Sequence, residues 1–299
     1  MGAGGEYGPA TVRLSPGPQR RGPEEQLRGG TARAWLRVHG RLLASGFRRG
    51  AAYRGAAVGG LVANVTFGFL KVSVLTAAVA AGGGELGGYD EAAIIAYAWL
   101  SQALLGSVNL FGRTDLADRI KDGSVAVDLL RPLDVQTATT AQEVGRALFQ
   151  LLPRGLPIIA LGVLVGGMRL PVDPATLALG LLSALLAVVL SYLLVYLVAA
   201  SGFWTVETRG LQVLYMIVSG FLAGLFVPVT LFPGWLHALA LATPFPSLLQ
   251  VPVDVISGRV GGAAALGVVG VQVAWVVAVL AVGHLMTRAG RRRLEVQGG

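Results

Sequence analysis

Three histidines, two lysines and sixteen carboxylates are the side chains from which this 299-residue chain could build a reactive site. Metal ligation needs His, Cys or carboxylate groups converging at fixed spacing. His39, His237 and His284 fall in separate elements, none at ligand spacing with another or with an acid, and cysteine is absent. Neither G-x-S-x-G nor H-E-x-x-H occurs. The phosphate-binding loop G-x-x-x-x-G-K-[ST] is missing too, because Lys71 and Lys121 follow Leu70 and Ile120 rather than glycine. The chain is therefore expected to hydrolyse no ATP by itself and to bind neither metal nor cofactor.

The remaining chemistry for a membrane protein is ion coupling, which usually keeps a carboxylate inside the bilayer. Composition says that a bilayer is the right solvent: 54% of residues are hydrophobic and 13% charged, with a mean hydropathy of +0.66, against about a quarter charged in soluble domains. Apolar stretches near the length needed to cross, about 20 residues, cover 57–81, 92–111, 147–168, 175–202, 210–229 and 263–286. All sixteen acids lie outside these six stretches, which argues against an ion-coupled carrier. Lys71 falls inside the first stretch and reads either as a snorkelling side chain or as a group facing a polar cavity, the former favoured. Arg154, between Pro153 and Pro157, reads as a marker of the membrane interface rather than of a pathway.

The net charge of +8 is distributed asymmetrically. Ten arginines precede the first stretch, five Lys/Arg lie in 112–146, Arg209 lies between the fourth and fifth stretches and four arginines follow 286, whereas the other side holds Arg169 and Arg259. The positive-inside rule then makes both termini cytoplasmic, in a cell inner (plasma) membrane. This placement also removes the reason to expect a nucleic-acid partner. Residues 1–30, with eight Gly and four Pro, read as a disordered tail, residues 31–290 as the membrane domain and 291–299 as a cytoplasmic tail. Arg48–Arg49 reads as a basic flank rather than a twin-arginine signal.

Three features flank the spans. In "RAWLRVHGRLLASGFRR" (33–49), Trp35, Leu36, Val38, Leu42, Leu43 and Phe47 share one half of a helical wheel, and Arg33, Arg37, Arg41 and Arg48 cluster on the other. That pattern predicts an amphipathic helix lying in the headgroup plane. The segment 232–258 is apolar but broken by Pro244, Pro246 and Pro252. It reads as a non-spanning hairpin on the outer side, re-entrant or interfacial, or as a packed lid. Small residues at four-residue spacing (Ser183, Ala187, Ser191; Gly220, Gly224) predict close helix approach, within one chain or between two.

The remaining candidate is the charged inner loop 112–146. Thr114 is a candidate N-cap and Gly123 a stop, the second helix can start at Ser124 and Pro132 forbids its continuation, while Asp134 caps the helix that follows. Two short helices result, the second placing Val125, Leu129 and Leu130 on an apolar knob rimmed by Asp128 and Arg131. The residues alone leave two readings open: the knob docks a partner, or it packs on its own bundle.

"IKDGSVAVDLLRPLD", six apolar stretches and "FPGWLHALALATPFPSLLQVPVDVISG" together resemble the type-2 permease family of ATP-binding-cassette (ABC) exporters, in the bacterial branch with an LLRP loop. The resemblance covers about residues 33–290. It implies an all-α membrane protein of six spans, with 33–50 (Trp35, Leu36, Leu42, Phe47) as interface helix and 232–258 as a re-entrant hairpin. It further implies that Asp128, Leu129, Leu130, Arg131 and Pro132 form a coupling helix inserted into a separate ATPase subunit, which would hold the ATP and Mg. A second permease, identical or homologous, would complete the transporter, and the bilayer would surround it.

Overall fold

A computed structural model describes residues 23–52, 54–171, 173–205 and 207–294. Among these the chain is helical throughout, with no strand beyond an isolated bridge between Leu86 and Tyr89. It divides into two units, 1–38 and 39–299, and the first helix, α1 (Pro23–Ala51), runs across that boundary. The tail expected over 1–30 lies mostly outside the described residues, and the backbone from Pro23 onward is helical. In the first unit Trp35 and Leu36 are exposed.

In the second unit α2 (Arg54–Ala81), α6 (Val135–Gln150) continued by α7 (Leu156–Leu164), α8 (Pro174–Ala200) and the last helix (Gly262–Leu294) supply four segments long and apolar enough to cross a membrane. The second and fifth expected spans are shorter. Their helices, α3 (Glu91–Leu104) and α10 (Arg209–Leu222), have 14 residues each, or about 21 Å of rise against a hydrocarbon core of about 30 Å. The last helix is α13, and the remaining helices are α4 (Asp115–Lys121), α5 (Val125–Leu129), α9 (Gly202–Thr205), α11 (Gly234–Leu241) and α12 (Gln250–Ile256).

Each short helix is bounded by identifiable contacts, some local and some from distant parts of the chain. Asp90 caps α3, its carboxylate accepting from Ala93 N at 2.8 Å. Beyond Leu104 the chain turns irregular, and its polar groups are met by side chains rather than by a helical ladder: Asn109 N donates to Ser191 Oγ (3.1 Å), Tyr215 Oη to Asn109 O (3.0 Å) and Ser219 Oγ to Leu110 O (3.0 Å). Helix α10 stops at Gly224, whose φ of +85° suits glycine. Gly224 N bonds Phe221 O and Leu225 N bonds Gly220 O, both 3.1 Å, the paired closure of a Schellman cap. Gly224 is thus a helix terminator, not half of a packing pair with Gly220.

The third span begins at Val135, earlier than expected, because Asp134 caps it through Thr137 N (2.8 Å). It carries one wide π turn over Leu151–Gly155, where Leu156 N reaches back to Leu151 O. Pro153 has no N–H to offer the ladder, and such bulges open where a proline interrupts it.

The core lies between α3 and α8. Tyr97, Ala98 and Trp99 on α3 and Ala187 and Leu190 on α8 are fully buried. The small stripe of α8 faces inward within this chain: Ser183 Oγ donates to Gln272 Oε1 of α13 at 2.6 Å, and Gly180 abuts Ile256 of α12. From His39 on, α1 packs against α6 by a similar device. A side chain at Gly46 or Gly145 would strike the backbone of Gln142 or Leu43, and Phe47 meets Phe149 edge-on at 5.3 Å.

Candidate functional site

The loop between α3 and α6 folds as two short helices. Thr114 caps α4 through Leu116 N, Asp115 and Asp118 occupy its first turn, and Arg119 and Lys121 its last, the arrangement that complements the helix dipole. Gly123, at φ +80°, ends it. The second helix starts where expected, with Ser124 at its N-cap position, though the Ser124 backbone is helical and its side chain caps nothing. Asp122 secures the turn, accepting from Ser124 N at 2.9 Å. The Ser124 hydroxyl and amide hold the Asp122 carboxyl below its usual value.

The apolar knob is split between two faces. Val125 is fully buried in a cluster with Leu116, Ile120, Val135, Tyr196 and Ala199, so it is no part of an exposed ridge. A one-turn helix that projected Val125 outward could not also seat α5 on α4 and the inner end of α8. Leu129 is half-buried at the edge of this cluster. Val127 is 58% exposed and Leu130 86%, with Arg131 and Pro132 exposed beside them. Asp128 faces inward to Arg119, with a second contact to Arg131 at 3.3 Å. The exposed ion pairs Lys121–Glu207 and Arg49–Asp115 (both 2.7 Å) tie α4 to its neighbours. The result is a small rigid platform with an apolar outer rim at Val127 and Leu130.

Residues that sequence spacing left apart meet elsewhere. His284 lies 3.3 Å from Asp134, although no group of three or more metal-ligating side chains occurs among the described residues. Lys71 does not snorkel. Its Nζ donates to Ser101 Oγ (2.8 Å) and Leu225 O (2.7 Å) and lies 4.8 Å from the Tyr97 ring centroid. The turn at Gly224 presents the Leu225 carbonyl inward, so the bundle offers the ammonium acceptors and an aromatic face closer than the interface. Lys71 borders an apolar cavity of about 530 Å³ with Phe67, Leu70, Gln102, Leu105 and Phe226.

A buried polar network holds the 232–258 segment, and Tyr89 lies too far from Asp254 in the chain for spacing to reveal it. Tyr89 donates to Asp254 Oδ1 (2.8 Å), Gln250 Nε2 to Asp254 Oδ2 (2.7 Å), and Arg259 grips both carboxylate oxygens (2.9 and 3.1 Å). Tyr97 donates to Gly224 O at 2.5 Å, and Val229 N to Gln250 Oε1 at 2.8 Å. Asp254 is the one buried carboxylate among the described residues; it lies in the outer segment, outside all six expected spans. Burial and the neighbouring carboxylate push the Tyr89 hydroxyl far above its ordinary value, so it stays a donor. The pieces predicted for the hairpin are present as α11 and α12.

Arg154 also departs from expectation. It does not mark the interface but turns into the bundle, its guanidinium lying so close to Gly60 of α2 that a side chain there would meet it, and in ordinary contact with Gly106 after α3. Its one hydrogen bond, to Asn64 Oδ1, is long at 3.4 Å.

The family model described as ABC-2 family transporter protein matches residues 62–298. No curated protein and no solved structure matches the chain. The match takes in the long apolar helices, the α4–α5 platform and the outer segment together. This multi-pass helical membrane protein belongs to the ABC-2 transporter family, whose members are permease subunits that generally work with a separate ABC ATPase.

Proposed function

We propose that this chain is the membrane-spanning permease of an ATP-driven exporter and that it receives force through the α4–α5 platform. The observation that carries this reading is the division of that platform: its inner face is locked to the bundle by Val125 and Ile120, while Val127 and Leu130 stand free beside Arg131 and Pro132. A rigid element with an unpartnered apolar rim transmits displacement; a floppy loop absorbs it. Asp128, Leu129, Leu130, Arg131 and Pro132 would seat in the ATPase, which supplies ATP and Mg.

In this reading the chain crosses six times. The shortfall of α3 and α10 is made up by irregular segments buried within protein, the circumstance in which non-helical backbone is tolerated at membrane depth. The outer segment 232–258 enters and leaves on the same side, with exposed Trp235 suited to the headgroup level. Trp35, Leu36, Leu42 and Phe47 belong to the interface helix, and both termini are cytoplasmic in the inner membrane. A second permease completes the pathway. An ion-coupled carrier is the other class of reading; Asp254, its natural ion site, is already neutralised by Arg259.

The test is co-expression with the candidate ABC ATPase subunits of the same genome, followed by purification through a tag on the permease. The ATPase should co-elute and its hydrolysis should change on association. A chain that transports in vesicles without any ATPase would overturn the reading.

A further inference from the structure

Beside the platform lies a second cavity, of about 500 Å³, lined by Arg113, Arg146, Arg154, Asn109, Gln150 and Tyr192 among others. Three guanidinium groups border it and no carboxylate does. Arg146 is paired with Glu143 just outside. Arg113 also borders the neighbouring cleft of Asp115 and Asp118, but no ion pair joins it to either among the described residues. Within the cavity wall, Arg154 Nε and Gln150 Oε1 are buried without hydrogen-bond partners. A buried donor and a buried acceptor left unmet are costly, and an arginine held inside a membrane bundle marks a functional site by default.

The wall itself is unusual. Gly60 leaves the space that the Arg154 guanidinium fills, and Arg154 rides on the π turn of the third span. Opposite runs the irregular segment 105–113, its backbone held by Ser191, Tyr215 and Ser219. Broken helices that line cavities are where membrane proteins place binding sites. Leu105 belongs to this cavity and to the apolar one beside Lys71, so the charged chamber adjoins an apolar one whose Phe67, Leu70, Val74 and Phe226 leave it open to the surroundings.

We infer that the arginine cavity binds the anionic phosphate head of an amphiphile whose apolar body enters the adjoining chamber. Planar guanidinium groups match phosphate oxygens in pairs. Gln150 Oε1 would accept from a hydroxyl of the head. The inference deepens the permease reading by giving its pathway a ligand class, and it rests on that reading only for the step from binding to transport.

The test uses the full chain alone, in a neutral detergent, with tryptophan-monitored melting. The probes are dihexanoyl phosphatidate, dihexanoylphosphatidylcholine and inorganic phosphate. Phosphatidate should raise the melting temperature saturably, phosphatidylcholine should not, and inorganic phosphate should need at least tenfold higher concentration. Arg113→Gln, on an exposed residue that folding does not need, should weaken phosphatidate at least tenfold. Glu143→Gln should tighten it, and Arg169→Gln, on another loop, should leave it unchanged. Arg154→Gln should abolish it; should that variant fail to fold, the Arg113 and Glu143 variants decide. No saturable rise, or a rise indifferent to Arg113 and Glu143, overturns the site. Inorganic phosphate matching phosphatidate overturns the amphiphile. Because no ATPase is present, failure here leaves the coupling proposal untouched.

Discussion

Val125, the first residue of α5, and Leu130, its C-cap, face different ways: Val125 is 0% exposed and Leu130 86%. The first anchors the platform between α4 and the end of α8; the second is the outermost apolar group of the loop. Under the coupling proposal, stability and docking therefore fall to different residues of the same short segment. Val125→Ala should cost about 2 kcal/mol through two lost methyl groups and the space they leave. Val127→Ala and Leu130→Ala should stay within about 0.5 kcal/mol of the parent. Thermal melts of the three variants check the division, and equal losses at all three positions would refute it.

Gly224 and Tyr97 form the second junction to test. An alanine at φ +85° is strained by roughly 1–2 kcal/mol, and its methyl would also run into the Tyr97 hydroxyl. Tyr97→Phe should cost about 1–3 kcal/mol by leaving the Gly224 carbonyl without its donor. The double variant should cost less than the sum, since removing the hydroxyl makes room for the methyl. Strict additivity in the double-mutant cycle would show that the two do not act on each other.

The outer segment hangs on one ion pair. Asp254→Asn leaves the half-buried Arg259 without its counter-charge and should destabilise by about 3 kcal/mol. Arg259→Gln strands the more deeply buried Asp254 and should cost at least as much. Removing both should cost less than either alone. Limited proteolysis of the 232–258 segment gives a local readout: cleavage should accelerate in both single variants.

Asp173 supplies a pH signature. It caps α8, accepting from Thr176 N (2.9 Å) and Thr176 Oγ1 (2.7 Å), and these bonds hold its carboxyl below the usual value. A group whose pKa is depressed by folding stabilises above its unfolded pKa, and that contribution vanishes as pH falls through the folded value. Asp173→Ala should therefore lower the melting temperature near pH 7 and converge with the parent in strong acid. A gap that persists below the depressed value would mean the cap acts through something other than the charged carboxylate.

Patterns with short period survived the step from sequence to structure. Thr114, Gly123 and Asp134 are helix punctuation, and each acts where its chemistry placed it. The apolar runs of the first, third, fourth and sixth stretches are long helices for the same reason. The sequence failed wherever the deciding partner was distant in the chain. Apolar composition alone does not reveal that α3 stops at Leu104, because the stop depends on Ser191, Tyr215 and Ser219 taking over the backbone bonds. Lys71 and Arg154 were misplaced for the same cause: a lone cation in an apolar run looks like an interface marker until its acceptor, Leu225 O or Asn64, arrives from another element. Val125 and Leu130 are both apolar, and only the position of α8 separates their roles.

The absence of cysteine makes the central claim directly measurable. A single cysteine introduced at Leu130 is the only thiol on the permease, as is one at Trp235, exposed on the outer segment. With the partner ATPase bound in membrane vesicles, a short thiol-to-amine cross-linker should join position 130 to the ATPase and leave position 235 unlinked. Cross-linking from 130 is the result the coupling account requires. An intact, ATP-hydrolysing complex in which position 130 stays unlinked and freely reactive to a water-soluble maleimide would contradict it.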